Sequence, residues 1–198
     1  QTLWSREALD ELIDVLTSTS PQVVLAGPPG TGKTWVAKHV ARYLVKDDPS
    51  CHRTVQFHPS FGYEEFIEGL RPVSKDGGIK FERVDGVVLQ MAEDMGEADE
   101  KVLVIDEMNR ANLPRVFGEL MYLFEYRDDP ISLQHTAEFA LPKGLKFIGT
   151  MNTADRSIRS IDIALRRRFD VFECQPDVEI LKQFYDKSNN NRVDDLIE

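Results

Sequence analysis

Residues 27–34 read GPPGTGKT, which satisfies the spacing G-x-x-x-x-G-K-[ST] through Gly27, Gly32, Lys33 and Thr34. Glycines at such spacing let successive backbone N–H groups turn toward an anion with no side chain in the way. A helix opening directly after the loop adds its N-terminus to the same anion. Pro28, Pro29, Gly30 and Thr31 complete the cradle, Lys33 is placed to reach the outer phosphates, and the Thr34 hydroxyl is placed to bind Mg²⁺. The loop is blind to the base, so GTP and ATP remain open at this point. A second run, LVIDE at residues 103–107, ends four apolar residues (Val102 to Ile105) in two acids. Asp106 there can hold Mg²⁺ through water, and Glu107 can orient and polarise an attacking water. Two exposed acids after a strand are the plain alternative, which the upstream phosphate loop disfavours. A carboxylate directly after the metal-binding Asp points to hydrolysis by water rather than phosphoryl transfer to a small molecule.

Two further features fit the same chemistry. Asn152, in GTMNT at residues 149–153, carries a neutral amide that can hydrogen-bond a γ-phosphate or the attacking water; a turn asparagine is the alternative, and Thr150 and Thr153 are left open. Arg166, Arg167 and Arg168 precede Phe169 at the end of a helical stretch, with Arg156 and Arg159 close by. Phosphoryl transfer spreads charge over the γ-phosphoryl oxygens, and an arginine from a neighbouring chain can stabilise it. In a head-to-tail ring each subunit would insert one of the triplet into the next subunit's site. A solvated face, or cations complementing a helix C-terminus, is the other reading.

The elements that must position these residues alternate between strand and helix. Leu9, Leu12, Ile13 and Leu16 predict an amphipathic helix over 6–17. PQVVLAG (21–27) reads as a buried parallel strand, followed by the loop and a helix from Lys33. Further strands are expected at 54–58, 101–107, 145–153 and 170–174, and helices at 87–95, 111–126 and 160–169. YEEFIEGL (63–70) reads as a short helix or turn, and small hairpins are expected near 74–85 and 131–142. This order predicts an α/β fold with a central parallel sheet flanked by helices. Ligands then bind beyond the carboxyl ends of the strands, where the loop, Asp106-Glu107 and Asn152 all fall.

Composition narrows the setting. The chain has 198 residues, 41% hydrophobic and 29% charged, with a formal net charge of -10. Such acidity repels phosphate backbones and argues against a broad nonspecific DNA-binding face. No apolar run is long enough for a membrane helix. Cys51 and Cys174 show neither metal spacing nor a disulfide framework, so a reducing cytoplasm is expected. The chain begins at Gln1 and ends in a polar run, the pattern expected of a piece of a longer protein. The aromatic loop FHPSFGYEEF and Trp35 are expected to pack onto the core, while Leu3 and Trp4 could wall a purine pocket.

Together GPPGTGKT, LVIDE, GTMN and ALRRRF resemble an AAA+ NTPase module over roughly residues 3 to 175. QFHPSFGYEEFIEGLRP, DEMNRAN and above all MNTADRS narrow the resemblance to the McrB family, the motor subunits of modification-dependent restriction systems. The resemblance implies a P-loop nucleotide-binding domain over 1–175, with two hairpin insertions. Residues 176–198 would begin a helical lid or linker, the lid being largely missing. It implies a homo-hexameric ring, GTP rather than ATP, a McrC-like nuclease partner, and DNA recognition in a separate N-terminal domain. Carried onto this chain, Lys33 and Thr34 take the Walker A roles, Asp106 and Glu107 Walker B, and Asn152 sensor 1. The arginine finger falls within Arg166 to Arg168, and Asp155 and Arg156 are expected at a subunit interface or near the γ-phosphate. An ATP-driven AAA+ remodelling enzyme of the dynein-related or MoxR kind is the alternative.

Overall fold

A computed structural model describes residues 4–75, 78–93, 95–96, 99–154 and 163–175. Its centre is a five-stranded, all-parallel sheet. The strands are β1 (Gln22–Gly27), β2 (His52–Gln56), β5 (Lys101–Asp106), β6 (Leu145–Asn152) and β7 (Asp170–Glu173), in the order β2-β5-β6-β1-β7. Two antiparallel strands, β3 (Glu68–Lys75) and β4 (Gly78–Asp85), form a separate hairpin. The helices are α1 (Arg6–Asp14), α2 (Lys33–Leu44), α3 (Tyr63–Phe66), α4 (Val87–Ala92), α5 (Leu113–Phe117), α6 (Leu120–Leu123) and α7 (Ile163–Arg166).

Strand side chains alternate between faces, and the inner strands are apolar at nearly every position because both faces are covered. Val23, Leu25, Val102, Val104 and Ile148 point to one face, where Leu12 of α1, Leu16, and Val36, Ala37, Val40 and Ala41 of α2 close the core. Val24, Ala26, Leu103, Ile105, Phe147 and Met151 point to the other. There Phe57, Phe66, Phe117, Phe124 and Phe169 pack mostly edge-to-face, at centroid spacings of 5.0–6.3 Å. The aromatic loop therefore packs inward as expected: Tyr63 and Phe66 are buried, and Phe61 stacks on Phe57 at 4.6 Å.

Several boundaries differ from the sequence reading. The first helix is capped by Ser5, whose hydroxyl accepts from the Ala8 amide at 3.2 Å, but it widens into a π turn over Val15–Thr19. The expected single helix over 111–126 is split into α5 and α6. Gly118 sits between them at φ 46°, and a Cβ there would lie 2.7 Å from the Tyr63 ring, so tertiary packing overrides helical pattern. The first hairpin begins earlier than expected, at Glu68, inside the stretch whose pattern suggests a helix or turn.

The second expected hairpin, over 131–142, reduces to one antiparallel bridge between Ile131 and Phe139. Its turn is held instead by a buried carboxylate. Glu68 Oε1 accepts from the His135 and Thr136 amides at 2.5 and 3.1 Å, and Oε2 accepts from the Thr136 hydroxyl at 2.5 Å. Glu68 thereby joins the base of the β3–β4 hairpin to the 131–139 segment. At the amino end of the sheet, Arg127 plays a similar part. It donates to the carbonyls of Pro142 and Leu145, both at 2.8 Å, and to Gln22 Oε1 at 2.6 Å. Burial pulls its pKa down to about 10, which leaves it charged at neutral pH.

Among the described residues no helix is long and apolar enough to cross a membrane.

Candidate active site

The carboxyl ends of β1, β5 and β6 lie side by side. Gly27 of β1 is in register with Asn152 of β6, and Ile105 of β5 with Gly149. Gly27 has no room for a side chain: a Cβ would stand 2.1 Å from the Cys174 carbonyl oxygen, just past the end of β7. The loop after Gly27 turns through Gly30 (φ 85°) and Gly32 (φ 77°), the left-handed conformations glycine adopts without strain. Gly32 caps α2, so the loop delivers its backbone to a helix N-terminus.

Lys33 and Thr34 are the first residues of α2. The Lys33 ammonium folds over the loop, donating to the Pro28 carbonyl at 2.5 Å and to Thr31 Oγ1 at 3.2 Å. Its pKa is lowered by burial, against the opposing pull of Cys174, Glu107 and Asp106. Thr34 Oγ1 donates to Asp106 Oδ1 at 2.6 Å. Thr150 Oγ1 donates to the same oxygen at 2.7 Å and accepts from the Glu107 amide at 3.1 Å. Thr150, left open by the sequence, is thus the hydroxyl that ties Asp106 and Glu107 to β6.

Glu107 leaves the strand in a left-handed conformation, φ 54° and ψ 42°, which is costly for a residue with a Cβ. That turn starts a 3₁₀ segment, Met108–Arg110, and brings Arg110 back over the acid, its Nε 3.3 Å from Glu107 Oε2. The contact is an ion pair without hydrogen-bond alignment, and Oε2, shielded from solvent, has no hydrogen-bond partner among the described residues. Asn109 Nδ2 donates to the Asn152 carbonyl at 2.9 Å, linking the turn after β5 to the end of β6. Asn152 uses its own side-chain oxygen to accept from the Ala154 amide at 3.0 Å, so it sits at the site's edge and also orders the turn that follows. Asn109 and Arg110 fall within the DEMNRAN run that carries the family resemblance, but residue chemistry alone assigns neither a role.

The structure gathers Lys33, Thr34, Asp106, Glu107 and Asn152 at one edge and places the arginine triplet elsewhere. Arg166 and Arg167 are exposed, while Arg168 donates through Nε to the Met121 carbonyl at 2.5 Å and meets Glu125 at 3.1 Å. The triplet lines an open cavity of about 480 Å³ with Gln22, Glu125 and Tyr126. This cavity lies at the amino ends of β1 and β7, where Val23 pairs with Asp170. Roughly 15 Å of strand separates it from the chain's own phosphate loop. Asp155 and Arg156 lie outside the described residues.

Trp35 departs from its expected packing role. It is 41% exposed, and its ring stacks on His39 at a centroid distance of 3.6 Å.

Residues 22–169 match the AAA domain family, dynein-related subfamily. The chain is 43% identical over 166 residues to the type IV methyl-directed restriction enzyme EcoKMcrB subunit of Escherichia coli (strain K12). That match covers 78% of this chain and 35% of the relative. It is 25% identical over 196 residues to the type II restriction enzyme BsuMI component YdiS of Bacillus subtilis (strain 168), covering 78% of this chain and 57% of that one. The chain therefore spans about a third to a little over half of these curated relatives. The fold is also that of a crystal structure described as a candidate ATPase from Cytophaga hutchinsonii ATCC 33406. The TM-score is 0.54 at 16% identity, over 93% of this chain and 50% of that one.

Proposed function

The chain belongs to the AAA family, in its dynein-related subfamily, as an AAA+ nucleoside-triphosphatase module of McrB type, and from that premise we propose that it hydrolyses GTP, with Mg²⁺, to drive a DNA restriction complex. The observation that carries the proposal is the convergence of Lys33, Thr34, Asp106 and Glu107 at one strand edge, with Asp106 and Glu107 tied together by Thr150. Lys33 and the loop amides from Gly27 to Thr34 bind the phosphates, and the Asn152 amide supports the γ-phosphate or the water beside it. Glu107 orients the attacking water and takes up its proton. Arg110, 3.3 Å away, pairs with that carboxylate.

The donor set fits Mg²⁺. A hydroxyl and a carboxylate, 2.6 Å apart beside the phosphate loop, are hard oxygen ligands. Mg²⁺ is typically held by one or two such protein groups plus water and phosphate oxygens. Thr34 would hold it directly and Asp106 through water, and the ion would supply charge neutralisation at the phosphates.

The remoteness of Arg166 to Arg168 from their own loop supports action on a neighbour, with Arg167 or Arg168 reaching the next subunit's γ-phosphate in a head-to-tail homo-hexamer. Both curated relatives are named as restriction-enzyme parts, which supports a nuclease partner of McrC type and a cytoplasmic setting. DNA recognition belongs to segments outside this sequence.

Competition of GTP and ATP for a fluorescent nucleotide on this chain, with Mg²⁺, tests the base. GTP is expected to displace the probe at lower concentration. Preference for ATP would move the assignment to an ATP-driven remodelling enzyme.

A further inference from the structure

We propose that Trp35, backed by His39, is the stacking platform on which the nucleotide's base lies. The inference rests on the reading of this edge as a nucleoside-triphosphate site. Lys33 and Thr34 turn toward the loop and Asp106, and the two positions after Trp35, Val36 and Ala37, are buried in the core. Trp35 alone in this first turn presents a large apolar ring to solvent, 41% exposed. The ring is nevertheless fixed. His39, one turn later, stacks against it at 3.6 Å with 22° between the planes, and His39 Nδ1 lies in hydrogen-bond contact with the Trp35 carbonyl at 2.8 Å.

Helical side chains tilt toward the helix N-terminus. His39 therefore covers the C-terminal side of the indole, and the opposite side of the indole looks toward the start of α2. That is the end at which a phosphate chain would sit on the helix N-terminus. A purine attached to that chain can extend the two-ring stack as a third member, burying the open side of the indole. Every base has a π-face, so such a platform supplies affinity while accepting guanine and adenine alike.

The test uses the indoles themselves, since the chain has two tryptophans and Trp4 packs partly buried against the core beneath α1 and α2. In a Trp4→Phe variant, Trp35 is the sole indole. Mg-GTP and Mg-ATP are expected to quench its fluorescence, while Mg-tripolyphosphate, which has the phosphates and no base, binds in competition without quenching. Trp35→Ala is expected to weaken both nucleotides about tenfold or more by calorimetry, leaving tripolyphosphate affinity unchanged, and Trp35→Phe to recover most of the loss. Unchanged nucleotide affinity in Trp35→Ala, with an unquenched Trp35 in the single-indole variant, overturns the platform and leaves the phosphate site standing. An equal loss for tripolyphosphate also overturns it, because the effect is then on the loop. Failure of the wild-type chain to bind any of the three overturns the phosphate-site reading and the platform with it.

Discussion

The Thr150 hydroxyl decides how two neighbouring acids are held. It donates to Asp106 and accepts from the Glu107 amide, so one small group fixes both the Asp106 carboxylate and the strained turn after it. Thr150→Val keeps the shape and removes both bonds. It is expected to cost about 1–3 kcal/mol of stability, since it leaves a part-buried amide donor without its acceptor, and to lower turnover as well; urea denaturation and phosphate release measure the two effects. The motif residues were legible from spacing because the chemistry constrains type and position together. Thr150 was not, because a threonine two residues before the end of a strand has no signature until β6 is laid beside β5. The cysteines give a second expectation. Cys174 is buried and its thiol is pushed up to about 11 from an ordinary 9.0 by burial, whereas Cys51 is half-buried. A disulfide reagent at pH 8 is expected to label Cys51 readily and Cys174 only on unfolding. Because folding favours the protonated Cys174 thiol, its contribution to stability is complete below pH 9 and declines as pH rises toward about 11.

At the scale of elements, the parallel sheet and the strand-end placement of the site were readable from alternating apolar runs and helical periods. Elements shaped by distant contacts were not. The 111–126 stretch has a continuous helical pattern, yet Gly118 breaks it at a positive φ where Tyr63 packs from the α3 side. Gly118→Ala is expected to lower stability by roughly 1–3 kcal/mol, through both the backbone conformation and the clash with the Tyr63 ring; thermal denaturation would register it as a lowered midpoint. An unchanged midpoint would mean that α5 and α6 can merge into one helix. The 131–139 segment misled for a similar reason. Its alternation is weak because a side chain from another element, Glu68, supplies the hydrogen bonds that a second strand would have made.

At the scale of the whole molecule, the phosphate loop and the arginine triplet occupy opposite ends of the same strands, so under the proposed function a single copy would be an incomplete site. Arg168 is engaged with Met121 and Glu125, while Arg167 is exposed. Arg167→Ala is therefore expected to reduce turnover by about 10³-fold or more if it is the finger, with no change in melting temperature. Arg168→Ala should lower both. Mixing Arg167→Ala with Lys33→Ala subunits should restore some turnover, because an intact loop then meets an intact arginine across the interface. Beneath this lies the claim that Glu107 activates water at a nucleotide site. Phosphate release from Mg-GTP by the wild-type chain and by Glu107→Gln, measured alongside nucleotide affinity for each, tests it. The expected result is similar affinity for both, with release by Glu107→Gln lower by about 10²-fold or more. Equal release by the two chains would contradict it.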